Sequence, residues 1–125
     1  LQPQSALEAM QKEDLVWGMI GLPMVYQDLG QEENSDAALA TLIDQYGQGW
    51  AYNIAYLHAY LGDADSAFKW LDKAVENSDS GVSEVLGEPL LTNLHDDPRW
   101  LSFLQRINYS PEQLEAIEFN VTLAE

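Results

Sequence analysis

The chain has 125 residues, 46% of them hydrophobic, and sets 21 Asp and Glu against five Lys and Arg for a formal charge of −16. That length and apolar content suit one domain that buries about two-thirds of its unfolded surface, which argues against intrinsic disorder. The charge repels phosphate backbones and anionic bilayers, and the absence of cysteine removes disulfides, zinc ribbons and thiol nucleophiles.

Residues 1–12 read as the end of a helix whose packing partner lies upstream, because PQSALEAMQ holds good helix formers with Leu7 and Met10 three apart. A second helix is expected from about Asp14 to Leu29, with Trp17, Ile20, Met24 and Val25 as its apolar positions. Gly30 stops it, and Pro23, which cannot donate to the Met19 carbonyl, predicts a kink. The polar run Gln31 to Asn34 reads as a connection. Ser35 or Asp36 then caps a third helix carrying Ala38, Leu39, Leu42, Ile43 and Tyr46, and Gly47 and Gly49 end it.

The pattern predicts a fourth helix over about Trp50 to Leu61, stopped by Gly62. A fifth opens at Asp63 or Asp65, with Ala67, Phe68, Leu71, Ala74 and Val75 on one stripe. In the last third, Pro89 opens or breaks a short helix through Leu94. Asp97-Pro98 reads as an N-cap with a first-turn proline, and Ser110-Pro111-Glu112-Gln113 as a capping box. These predict helices over about Pro98 to Ile107 and Pro111 to Phe119. No segment alternates with period two, so the expectation is an all-α chain of about eight helices. The longest apolar stretch, Leu15 to Leu22, is far short of the roughly 20 residues of a membrane span.

Helix pairs at near-constant spacing point to a repeat. Residues 50–79 carry Ala55, Gly62, Ala67 and Leu71 where the tetratricopeptide pattern has a small residue, a turn glycine, a second small residue and a large apolar one. The stretch thus resembles a tetratricopeptide repeat. Residues 14–47 form a degenerate copy, with Leu29-Gly30 at the turn and Ala38, Leu39 and Leu42 beyond it. Gly30 to Ala38 is three residues longer than Gly62 to Ala67, Pro23 stands where the second pair has Ala55, and Asp79 replaces the closing proline of the pattern.

From Ala51 to Phe119 the order of features resembles the C-terminal tetratricopeptide region of large bacterial regulatory proteins with N-terminal winged-helix or cyclase-type domains. The features are this pair, Pro89-Leu90-Leu91, Asp97-Pro98-Arg99-Trp100 with Phe103-Leu104, and the Ser110-Pro111-Glu112 helix. The resemblance implies a short right-handed superhelix of antiparallel helix pairs with residues 82–125 as a helical cap, inside a cytoplasmic protein. It also implies a protein-interaction role and supplies no catalytic residue, and the sequence itself carries no cofactor motif.

Tyr52, Tyr56 and Tyr60 recur every four residues and form one ridge, the best candidate for a partner-binding groove, with Asn53 beside it to hydrogen-bond a peptide backbone. The competing account is that the ridge packs against a neighbouring helix pair. Trp17 and Met24 are the matching candidates in the first pair. Lys12, Lys69, Lys73, Arg99 and Arg106 all lie off this face, so a carboxylate clamp is not expected and a basic or neutral protein or peptide is the preferred partner. The alternative is docking within a larger chain or self-association. His58 and His95 are isolated, and with 21 acids the carboxylate pairs Glu32/Glu33 and Asp96/Asp97 are unremarkable, so neither a metal site nor an enzyme is expected.

Overall fold

The computed structural model describes Gln4 and residues 15–124, with side chains over 16–118. The expected leading helix, apart from Gln4, and Lys12 lie outside the described residues. Those described are all-α, with no strand among them. The α-helices are α1 (Leu15–Asp28), α2 (Glu32–Tyr46), α3 (Ala51–Tyr60), α4 (Ala64–Glu76), α5 (Pro98–Arg106) and α6 (Pro111–Ala124). Two 3-10 helices, η1 (Ser80–Gly87) and η2 (Pro89–Leu94), fall between α4 and α5. The chain divides into two compact units, Leu1–Asn93 and Leu94–Glu125, so η1 belongs with the helix pairs rather than with the terminal helices.

Two helical hairpins make up most of the first unit, and they share one turn. Gly30 and Gly62 both adopt positive φ, 74° and 85°, which a side chain would oppose. At the first turn Gly30 N–H donates to Gln27 and Gln31 N–H to Tyr26. At the second, Gly62 donates to Ala59 and Asp63 to His58. This double closure by a left-handed glycine satisfies carbonyls that the helix end leaves open. In each hairpin the next helix starts two residues after the glycine.

Superimposing the turns sets the repeat at 32 positions and corrects the internal alignment expected from sequence. Ser35, not Ala38, corresponds to Ala67, while Pro23 corresponds to Ala55 and Leu39 to Leu71. All six residues of those three pairs are buried, and Ala38 is only half-buried. The expected cap at Ser35 or Asp36 is also corrected. Helix α2 begins at Glu32 with Gln31 before it, and Ser35 lies inside, donating to the Pro23 carbonyl at 2.8 Å. The polar run that resembles a connection is a solvent-facing first turn, where Glu32 and Glu33 complement the positive end of the helix. Helix α1 continues as one helix through Pro23.

Helix α3 is the centre of this unit, with α1, α4 and η1 packed around it. Ala51, Tyr52, Ile54, Ala55, Tyr56, Leu57 and Ala59 are all buried, so the helix is enclosed on most sides rather than along one stripe. By contrast α4 is amphipathic, burying Ala67, Phe68, Leu71 and Ala74 and exposing Lys69, Asp72 and Lys73. Burying each large aliphatic side chain here stabilises the fold by about 1.5–3 kcal/mol relative to exposure. Asp63 caps α4 through Ser66 N–H at 3.1 Å, and those Ser66 hydrogen bonds hold its carboxyl below the usual range.

Trp50, at the start of α3, makes no side-chain cap. Asp79, from just before η1, takes that role. Its Oδ2 accepts from Tyr52 N–H at 3.1 Å, and its Oδ1 from Gly81 N–H at 2.9 Å. One carboxylate therefore closes two segments 27 residues apart.

In the second unit both predicted start signals form. Asp97 accepts from the Arg99 guanidinium at 2.8 Å and from Arg99 N–H at 2.9 Å, which pulls its carboxyl down to about 2, and Pro98 occupies the first turn of α5. Ser110 N–H donates to Gln113 Oε1 at 3.0 Å while Gln113 N–H donates back to Ser110 Oγ at 3.3 Å, a reciprocal box. Helix α6 runs past the expected Phe119 to Ala124.

Candidate functional site

The tyrosine ridge forms, and most of it is covered. Tyr52 is 3% exposed and Tyr56 is also buried, with their rings edge to face at 5.7 Å. Tyr52 is covered by the chain's own η1 rather than by a neighbouring helix pair. A Cβ on Gly81 would overlap the Tyr52 ring, standing 2.6 Å from its Cγ, so only a residue without a side chain permits this approach. Burial, followed by the nearby carboxylates Glu88 and Glu84, pushes the Tyr52 phenol well above its ordinary range. No hydrogen-bond partner reaches the buried Tyr52 hydroxyl. The Tyr56 phenol is raised by burial and by Glu88 and Glu84, against the opposing hydrogen bond from Asn53.

The remaining candidates separate. Asn53 is half-buried and donates to the Tyr56 hydroxyl at 2.9 Å. Tyr60 donates to Asp28 Oδ1 at 2.5 Å, tying the end of α3 to the end of α1, and this bond is the main reason its phenol is raised. Met24 is half-buried on α1, at the position matching Tyr56 across the 32-residue repeat. Trp17 does not match any member of the ridge. Its counterpart is Gly49, and the residue matching Tyr52 is the buried Ile20.

Trp17 instead stands at a cleft that the ridge alone does not predict. The cleft has a volume of about 390 Å³ and is lined by Trp17, Trp50, Tyr52 and Asn53 on one side, and by Asp79 and Glu84 with the backbone around Ser80 and Gly81 on the other. Trp17 is 52% exposed and meets Trp50 edge to face, with ring centroids 5.2 Å apart. Three of the six sequence-predicted residues (Trp17, Tyr52 and Asn53) are thus brought together, and Met24, Tyr56 and Tyr60 do not line the cleft. Sequence reasoning misses Trp50, Asp79 and Glu84 as site residues. An aromatic at a helix start is a signal that could have found Trp50, but nothing local marks the two acids as neighbours of α3.

Chemically the cleft offers indole faces, an amide and carboxylates, and no basic side chain lines it among the described residues. That combination suits recognition of a partner group. A shallower groove of about 300 Å³ lies between α1 and α2, lined by Met19, Leu22, Tyr26, Asn34, Ala37, Ala38 and Thr41. His58 lies away from the cleft lining. Its Nδ1 is 3.7 Å from Asp63, and burial depresses its pKa despite that carboxylate. Among the described residues no group of three or more His, Asp or Glu is placed to hold a metal ion, and no helix is long and apolar enough to cross a membrane. Compared with known proteins, the chain matches no family model, no curated sequence and no solved structure.

Proposed function

We propose that this chain is a tetratricopeptide-like interaction module that receives a segment of a partner protein in the cleft between α1, α3 and η1, with no catalytic role. The observation that carries the reading is Trp17, a large apolar side chain half open to solvent at the mouth of a cleft of about 390 Å³ and braced by Trp50. Exposed aromatics braced by packed neighbours are the kind of residue on which binding energy concentrates. Two hairpins with the same glycine turn, the first helix of one packed on the first helix of the next, support the superhelical-repeat reading.

The test is the Trp17→Ala variant in co-purification from the source cell, with circular dichroism as the folding control. A partner retained by the parent chain and lost by the variant is the expected result. Retention of every partner by a folded variant sinks the reading.

A second reading, docking within a larger chain or self-association, is favoured by Leu101, Leu114 and Ile117, which are exposed on the second unit. It predicts a molecular mass that rises with concentration in light scattering, and that rise should vanish when the three are changed to Ser.

A further inference from the structure

We propose that the cleft beside Trp17 takes an arginine side chain from a basic segment of another protein, with the guanidinium lying on the indole and facing Asp79 and Glu84. This deepens the proposed interaction role and rests on it.

Four observations lead to that occupant. Among the described residues the cleft lining contains two carboxylates and no Lys or Arg. No ion pair joins Asp79 or Glu84 to a basic residue among the described residues, and both Asp79 oxygens accept backbone N–H groups, so that carboxylate is held in position as part of the wall. Elsewhere the chain does supply its own cation to a tryptophan, since the Lys73 ammonium sits 4.6 Å from the centroid of the Trp70 ring. Among the described residues no cation sits over Trp17 in the same way. A cation held over an indole gains about 0.5–1 kcal/mol when exposed and about 2 or more when water is excluded, and acids at the rim add to it.

Arginine fits better than lysine because its planar guanidinium stacks on an aromatic face while its N–H groups still reach carboxylates. The size agrees. Clefts that hold ligands run from about 300 to 1,000 Å³, and this one is at the lower end, suited to one long side chain and its neighbours rather than to a whole helix. A second copy of the chain is a poor occupant, because it would bring another −16 of charge and only five basic residues. Burial is the main cause of the raised phenols of Tyr52 and Tyr56, and the carboxylates Glu88 and Glu84 add to it at this end of α3.

The experiment is a titration of the isotope-labelled chain, followed by amide and indole N–H resonances. The probes are three blocked twelve-residue peptides that share a Gly, Ser and Leu frame. They differ only at two central positions, which hold arginine, its neutral isostere citrulline, or glutamate. The expected result is saturable binding of the arginine peptide that shifts the Trp17 indole resonance, at least ten-fold tighter than the citrulline peptide. Trp17→Ala and Glu84→Gln should each weaken it about three- to ten-fold.

Equal, Trp17-dependent binding of the citrulline or glutamate peptide would leave the interaction reading standing and overturn the arginine assignment. Binding of the arginine peptide that is untouched by Trp17→Ala would mean diffuse attraction to the acidic surface and would also overturn it. No Trp17-dependent binding of any peptide up to millimolar concentration would overturn both. Trp17 and Glu84 are exposed, so neither substitution threatens the fold.

Discussion

The two hairpins use one turn and solve their helix crossings differently. In the second, Ala55 and Ala67 bring α3 and α4 together with side chains too small to hold them apart. In the first, the same places are taken by Pro23 and Ser35, and the contact includes a hydrogen bond from the Ser35 hydroxyl to the Pro23 carbonyl. The crossing therefore asks for small volume first. A polar group is admitted only where a partner waits for it. The element that succeeds each hairpin differs as well. After the first, α3 packs on α1 as a full helix, whereas after the second the shorter η1 packs on α3, with Gly81 against Tyr52 where the first hairpin has the open Gly49.

The sharpest way to break this pairing is Gly81→Ala beside Gly49→Ala. The first drives a methyl into the Tyr52 ring and should cost about 2–3 kcal/mol. The second meets nothing within 4 Å and should stay within about 0.5 kcal/mol of the parent in urea unfolding. Next comes Ala67→Ser, which buries a hydroxyl opposite Ala55 rather than a prepared acceptor. A loss of about 1–3 kcal/mol is expected, and a neutral result would mean the two crossings are interchangeable. Asp79→Ala removes the shared acceptor of Tyr52 and Gly81 N–H and should cost about 1–2 kcal/mol, with Asp79→Asn milder. Ser35→Ala, which loses one hydrogen bond while keeping the volume, should cost about 1 kcal/mol.

The smallest effect concerns pH. His58 belongs only to the second hairpin, its counterpart in the first being Tyr26. Burial lowers its folded pKa below the ordinary value of 6.5, so as pH falls the unfolded chain takes up the proton first. The stability from the neutral imidazole is complete above about 6.5 and declines as pH drops toward the folded pKa. His58→Gln should flatten that part of the stability curve relative to the parent. An unchanged slope would show that other groups produce it.

Local chemistry is the legible part of this chain. Asp97-Pro98, the Ser110 to Gln113 box, and the glycines after α1 and α3 announce their structures within four residues, because a cap or a closing turn is made by near neighbours. Ser35 misleads for the same reason. A serine close to a helix start looks like a cap, and only the position of Pro23 twelve residues earlier turns it into a packing residue. At the candidate site, Trp17, Tyr52 and Asn53 are visible as aromatic and amide groups on helices, but the cover over Tyr52 depends on Gly81, 29 residues away. That contact is set by tertiary packing and leaves no periodic trace.

Asp79 also bears on how the chain reaches this structure. Each hairpin closes through contacts between neighbours in sequence, whereas the Asp79 carboxylate reaches the start of α3 across 27 residues, a longer-range contact expected to form late. Removing it should therefore leave the rate of folding almost unchanged and speed unfolding instead, giving a φ-value near zero at this position in stopped-flow measurements. On that account Asp79 acts as a late latch, setting how long the native state persists rather than how fast it forms.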